Sequence, residues 1–524
     1  MENNKKNTRT ENVIRNVWVG IICQILLLVF SFANRTVFIK MLGDEYLSIN
    51  GLFTNILNMI SFVELGFGTA LIYMLYKPVA EDNIKKVQSI IKYYQKVYTI
   101  IGLTMFILGI MVIPFMKYII KDSPDIQENL IVIYLMYLVN TCLGYFFAHK
   151  SAIINANQKN YIITIYTQVS KLLQAIIQIV VLVVTKKYLL YLIIQFLMTL
   201  LSSIAISLKA NKMYPYIKER NIPDISKKEK KMIGTKVKSL ILYRISPAIL
   251  NGSDNLILSA CVSLSAVGIY SNYYLITNYL LLFLNLITGS FETSIGNLNA
   301  QEDALQKENV YYKILYVCFF MYGLVCVLLM ANINDFINIW LGKDYVFNNW
   351  IVLTIVLYIY INGLHFPSYS YRTTAALFDK MKLMPVLEVV LNIIISIILA
   401  KYLGIAGVFL GTSLAKIATF FWSDPHILYK YLFKSNNLLK YYLKYGYYMF
   451  ISVVSGFLML ELGRIIPVTN YIEWILRACL MGVTTIGIFV GMTFKMTEFK
   501  EMKNILIVLF NKVLKRFNKG KECL

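Results

Sequence analysis

The chain has 524 residues, of which 58% are hydrophobic and 15% charged, and a mean hydropathy of +0.61. Soluble domains hold roughly 45–50% apolar and about 25% charged residues, so a soluble enzyme or secreted domain is excluded. Lys and Arg total 51 against 28 Asp and Glu, a formal net charge of +23. In a membrane chain such an excess belongs first in cytoplasmic loops, so it points to topology and not to nucleic acid as a partner, with a further part able to attract an anionic substrate.

Apolar runs of about 20 residues, bounded by charge or turn residues, predict an all-α polytopic membrane protein. In chain order the predicted helices cover 14–39, 46–76, 92–116, 129–148, 160–184, 187–208, 236–261, 266–297, 311–331, 349–371, 383–400, 404–423, 441–463 and 472–494. That makes 14 helices, or 12 if the closely spaced pairs around Lys186 and Gly404 each count once. Basic residues cluster in the N-terminal arm (Lys5, Lys6, Arg9, Arg15), near Lys85 and Lys86, between Lys209 and Lys238, and in the tail from Lys500 to Lys521. With 14 spans these segments share one side, so both termini are expected in the cytoplasm of a bacterial cell.

The dense charge and Pro215 and Pro223 mark 209–235 as a solvated basic cytoplasmic linker. It separates an N-lobe at 1–208 (helices 1–6) from a C-lobe at 236–423 (helices 7–12), giving two pseudo-symmetric six-helix lobes. Residues 424–496 add helices 13 and 14, and 497–524 forms a basic amphipathic cytoplasmic tail suited to an anionic membrane surface. The seven cysteines form no CxxC or His/Cys cluster, so neither a metal site nor a disulfide framework is expected.

The lobes carry a weak internal echo. Glu64 and Gly68 match Glu292 and Gly296 in spacing, and Arg35 falls opposite Asp254. Repeats of this kind are the usual build of secondary transporters.

Charges inside a span are costly and mark cavities or paired partners. Here they are Arg35, Glu64, Lys171, Arg244, Asp254, Glu292, Glu388, Lys416 and Arg477, with His365 and Arg372 in or near helix 10. Arg15, Arg35 and Arg244 are the candidates for a cationic substrate cavity, because guanidinium grips phosphate through paired hydrogen bonds and keeps its charge. Arg15 and Arg244 serve equally as interface anchors that snorkel. Glu64, Asp254 and Glu292 are candidates for ion coupling or gating. For Glu64 and Asp254 the alternative is an arginine pair that closes a bundle. Lys171, Lys416 and Arg477 read as deep-lying snorkelling residues. The sequence has no G-x-x-x-x-G-K-[ST] loop, so the energy would come from an Na⁺ or H⁺ gradient, from membrane potential, or from a partner that removes product.

Several runs then form one pattern: Arg35–Phe38, Leu42-Gly43-Asp44-Glu45-Tyr46, Asn50-Gly51-Leu52-Phe53, Glu64-Leu65-Gly66 and Leu75-Tyr76-Lys77-Pro78-Val79-Ala80. Asp254–Leu258 and Val267–Tyr273 extend it into helices 7 and 8. The pattern resembles the Wzx-like polysaccharide and oligosaccharide flippases of the multidrug/oligosaccharidyl-lipid/polysaccharide exporter superfamily. The resemblance implies a non-enzymatic membrane transporter that moves an undecaprenyl-diphosphate-linked oligosaccharide from inner to outer leaflet. It implies no cofactor beyond a coupling ion. As partners it implies the lipid-linked oligosaccharide, with a polysaccharide polymerase and glycosyltransferases nearby. A lipid II flippase and a cation-coupled multidrug extruder share the architecture. A membrane-embedded glycosyltransferase or polymerase fits poorly, because the longest predicted outer loop, about 331–349, offers only Asp335, Lys343 and Asp344.

Overall fold

The computed structural model describes residues 26–64, 67–120, 124–157, 159–219, 224–227, 229–231, 234, 249–250, 252–375, 377–381 and 383–504. The described chain is helical, and 11 of its helices are long and apolar enough to cross a membrane. It is therefore an all-α, multi-span membrane protein, as the composition requires. It divides into two compact units, Met1–Ser271 and Asn272–Leu524.

The first unit begins with α1 (26–42), which Gly43 ends, and α2 (Asp44–Ile60). A 3₁₀ turn at Ser61–Glu64 precedes α3 (Phe67–Ala80), so the single span predicted over 46–76 is broken at Glu64. Then come α4 (Ile84–Val112), α5 (Leu130–Ala156), α6 (Asn160–Thr185) and α7 (Tyr188–Met213). Asn83 and Asn129 cap α4 and α5 by accepting from the backbone N–H of Lys86 (3.1 Å) and Ile131 (2.8 Å). Helix α5 packs between α4 and α7, and α6 folds back on α7. The 252–262 segment also belongs to this unit. A Cβ on Gly252 would collide with the Met59 side chain, and Ser259 donates to the Ile119 carbonyl at 2.8 Å.

The second unit takes over within α8 (Leu264–Gln301) and continues through α9 (Ala304–Leu341), α10 (Asn349–Thr374), α11 (Met384–Leu403) and α12 (Ile405–Ala418). After α12 come α13 (Phe420–Ile427), α14 (Leu438–Ile465) and α15 (Tyr471–Thr493). Helices α9 and α10 form its core: 67% of the apolar stretch of each is buried, against 17% for α6 and α7 in the first unit. Helix α9 has 38 residues, about 57 Å at 1.5 Å per residue, and so overruns a hydrocarbon core of about 30 Å. The predicted loop 331–349 accordingly shrinks to 342–348, and Asp335 lies on a helix.

Helices α14 and α15 dock on α9 along an aromatic seam. The Phe319 ring stacks on Tyr448 (4.5 Å) and on Phe489 (4.8 Å), where Gly323 leaves room: its Cβ would meet Phe489 at 3.2 Å. Polar ties close both ends of the seam. Trp474 Nε1 donates to the Asn332 carbonyl (3.0 Å), Arg477 pairs with Asp335, and Lys313 pairs with Glu501 (2.6 Å). Arg477 is thus a buried, partnered charge and not a snorkelling one.

Helices α11 and α12 form a tight hairpin. Gly404 turns it with φ +58°, a left-handed conformation that favours glycine. A Cβ on Gly407 would collide with the Leu399 carbonyl, and one on Gly411 with Ser396 Oγ. Asn392 Nδ2 donates across the pair to Thr412 Oγ1 at 2.8 Å. Small residues that admit backbone contact are the usual glue of membrane helices.

Candidate functional site

Two polar sites lie in the first unit. Arg35 sits on α1, where its Nη2 donates to the Ser271 carbonyl (2.9 Å) and Oγ (2.8 Å). Its Nε is buried without a hydrogen-bond partner. Beside it, Asn34 Nδ2 donates to Gln178 Oε1 (3.4 Å) and Tyr191 Oη (3.2 Å). Phe38, one turn on, packs edge-to-face on Tyr188 and Tyr191. The guanidinium thus stands in an aromatic, hydrogen-bonding nest.

Glu64 marks the second site, at the broken turn between α2 and α3. Its Oε1 accepts from Tyr98 Oη at 2.7 Å, and the Tyr98 ring stacks on Tyr94 at 4.4 Å. Among the described residues no cation lies within ion-pair distance of Glu64, and the Tyr98 hydroxyl is the partner it has there. Gly68 allows this approach, since a Cβ there would run into the Tyr98 hydroxyl. Asp254 is buried at 9% exposure on the 252–257 stretch. Glu292 is half-buried on α8 in the second unit. Arg15 and Arg244 lie outside the described residues.

The second unit holds a charge cluster that sequence reasoning assembles only in part. Asp424 on α13 is fully buried. Its Oδ2 lies 2.7 Å from His365 Nε2, and its Oδ1 lies 3.2 Å from Arg372 Nε, too poorly aligned to count as a hydrogen bond. His365 and Arg372 are seven residues apart on α10 and therefore share a face. Lys416 on α12 pairs with Glu388 on α11 at 3.4 Å. The Phe420 ring stands between the cations, 4.9 Å from Arg372 Cζ and 5.2 Å from Lys416 Nζ. Lys416 is therefore a paired, largely buried charge.

The chain reaches this geometry by breaking a helix. Thr419 leaves the α region (φ −116°, ψ −84°) and its Oγ1 back-bonds to the Ala415 carbonyl at 2.7 Å. Pro425 then removes a further backbone donor. The predicted helix 404–423 stops one residue before Asp424, which leaves the acid that His365 and Arg372 need outside the span. Two basic side chains two turns apart inside a span are the signal for it, because they demand a nearby carboxylate.

An apolar cleft between α9, α10 and α14, lined by Cys326, Leu357, Tyr360, Ser452 and Phe457 among others, carries no ionisable carboxylate or cation. It is a place for hydrocarbon and not for charge recognition.

Comparison with known proteins adds three findings. The MatE family model matches residues 20–181. No curated protein matches by sequence. Among solved structures, an inward-facing multidrug resistance MATE family transporter of the MOP superfamily superposes with a TM-score of 0.63 at 15% identity, over 79% of this chain and 98% of that one. The lipid II flippase MurJ, in an inward closed conformation, superposes with a TM-score of 0.60 at 17% identity, over 92% of this chain and 99% of that one. A mutant of the Vibrio cholerae MATE transporter VcmN gives a TM-score of 0.55 at 13% identity, over 83% of this chain and 99% of that one. At these identities the likeness establishes the fold: this chain has the fold shared by MATE transporters and MurJ.

Proposed function

We propose that this chain is a transporter of the multidrug/oligosaccharidyl-lipid/polysaccharide exporter superfamily that flips an undecaprenyl-diphosphate-linked oligosaccharide by alternating access. The observation that carries the choice of a lipid substrate is coverage. MurJ, whose name describes a lipid II flippase, superposes on 92% of the chain, whereas the MATE transporters superpose on 79% and 83%. The extra length and the net charge of +23 suit a large anionic lipid better than a cationic drug.

The physical task is to carry a diphosphate and a sugar head through hydrocarbon, which neither crosses unaided. Arg35, Arg15 and Arg244 are assigned to the diphosphate, and the unpartnered Nε of Arg35 supports its share. Glu64, Asp254 and Glu292 are assigned to ion coupling or gating. Polysaccharide polymerase and glycosyltransferases are the expected neighbours, in the bacterial cytoplasmic membrane.

Deleting the gene in its host and following lipid-linked intermediates by leaflet tests this reading. An impermeant sugar-oxidising reagent on right-side-out vesicles reports the leaflet. The expected result is a completed oligosaccharide-diphosphate lipid held on the inner face, rescued by the wild-type chain and not by Arg35→Ala. Accumulated lipid II in its place reassigns the substrate to peptidoglycan synthesis. A normal transbilayer distribution with raised drug sensitivity moves the chain to drug efflux.

A further inference from the structure

Residues 434–437 join two membrane-spanning stretches, Ile405–Phe433 and Leu438–Ile465, and so stand at the membrane–water boundary. A cavity of about 440 Å³ opens there, lined by His426, Tyr429, Lys430, Lys434, Ser435 and Asn436 together with Leu438. Lys434 holds a left-handed backbone with φ +51°. A side-chain-bearing residue keeps that conformation only where its surroundings fix it.

The cavity sits in a field of lysines. Lys430 Nζ and Lys380 Nζ lie 5.4 Å and 5.0 Å from the Tyr431 ring centre. Lys440 Nζ and Lys444 Nζ lie 4.6 Å and 4.5 Å from that of Tyr312, whose hydroxyl bonds Tyr429 in the cavity wall. Of these, Lys444 is answered by Glu498. Among the described residues no carboxylate lies within ion-pair distance of Lys380, Lys430, Lys434 or Lys440. Leu438 adds an apolar side chain to the lining, and exposed apolar side chains follow on the elements that flank it. Trp422, Tyr431, Leu439 and Leu443 are 47%, 41%, 68% and 65% exposed.

A soluble anion accounts for the lysines but not for a cavity at the membrane boundary flanked by exposed apolar side chains. Orientation by positive charge accounts for the lysines but needs no cavity. An anion with hydrocarbon attached accounts for both. We propose that this cavity binds the phosphate headgroup of an anionic phospholipid. Lys430 and Lys434 meet the phosphate, Ser435 and Asn436 supply neutral donors, and the acyl chains lie along Trp422, Leu439 and Leu443. The inference rests on the membrane-spanning fold and is independent of the transported substrate.

Native mass spectrometry of the purified full chain tests it, with phosphatidylglycerol, phosphatidylcholine and inorganic phosphate as separate probes. Wild type retains phosphatidylglycerol in a saturable, near-stoichiometric way and phosphatidylcholine weakly. Lys430→Gln with Lys434→Gln lowers phosphatidylglycerol retention about tenfold, in line with the worth of lysines near an anionic surface. Lys343→Gln with Lys401→Gln, a charge-matched control, leaves it unchanged. Asn436→Trp fills the cavity without altering charge and produces the same loss, so a folding defect of the lysine pair does not decide the matter. Wild-type retention in both cavity variants overturns the proposal. So does displacement of the lipid by millimolar inorganic phosphate, which reassigns the cavity to a soluble anion.

Discussion

At the scale of single residues, two contacts control whether a charge is tolerated in the bilayer. Gly68 is the space that lets Tyr98 reach Glu64. Gly68→Ala is expected to push the buried Tyr98 ring away, cost about 1–3 kcal/mol through overpacking, and lower the melting temperature in detergent. Tyr98→Phe removes the hydrogen bond without the clash and is expected to cost about 1 kcal/mol. Asp424 is the acid shared by His365 and Arg372. Asp424→Asn leaves Arg372 buried and unanswered, with an expected loss of about 3–5 kcal/mol, and adding Arg372→Met recovers part of it. A double-mutant cycle on melting temperature checks both claims; additive effects would show that the two side chains do not interact. The basic members of this cluster were legible in the sequence, because charge inside an apolar run is conspicuous. Asp424 was not, because a hydropathy window ends where polar residues begin, even when the helix folds onward into the protein. Asp335 and Arg477 repeat the case: the arginine stood out, and its acid lay four residues past a predicted helix end.

At the scale of elements, most predicted helices among the described residues stand in the predicted order and run longer than predicted, whereas 46–76 is broken at Glu64, 404–423 is broken at Thr419 and 236–248 lies outside the described residues. Helix α4 starts at Ile84 and not at 92, so Lys86 and Lys92 belong to a helix that projects beyond the apolar stretch. There they hold the linker: Lys86 pairs with Glu229, and Lys92 pairs with Asp224 at 3.2 Å. The lysine partners hold both carboxyls below their ordinary range. Carboxyls depressed in this way support docking above their unfolded values and lose it as pH falls through the folded ones. Linker proteolysis is therefore expected to stay flat from pH 8 to about 5 and to rise only below about pH 4. The change should be small, since exposed pairs contribute little. A rise centred near pH 6 would point to a histidine instead.

The docking of α14 and α15 obeys different physics. Lipid is as apolar as the side chains it would replace, so close packing and polar ties hold these helices on α9. Gly323→Leu is expected to part the Phe319–Phe489 stack and make the α14–α15 connection protease-sensitive in detergent, with α1–α7 unaffected. Unchanged cleavage would mean the polar ends suffice.

At the scale of the molecule, composition alone carried the fold class, because only closed helices satisfy their backbone in lipid. The two-unit division was less legible. The linker is the visible seam in the sequence, whereas the compact units change over at Ser271, inside a continuous helix. Gly252 and Gly268 fit against Met59 and Ser48 on α2, a shape match that charge patterning does not report. Topology follows from charge instead. Reporters fused before residue 1 and after residue 524 are both expected to be active in the cytoplasm, and one inserted between Lys343 and Asn348 outside. Opposite locations for the two ends would require an odd number of spans.

The glycine-locked hairpin of α11 and α12 also bears on how the chain is made. Both halves lie within 35 consecutive residues, and each supplies the other's contact surface. A ribosome that has moved far enough past Ala418 for α12 to leave its exit tunnel has therefore released a complete, self-satisfying pair. The more polar arm, with Lys416, then enters the bilayer together with the strongly apolar one. Gly407→Leu uncouples the arms, and glycosylation mapping during synthesis would then find α12 left at the channel exit while α11 inserts alone.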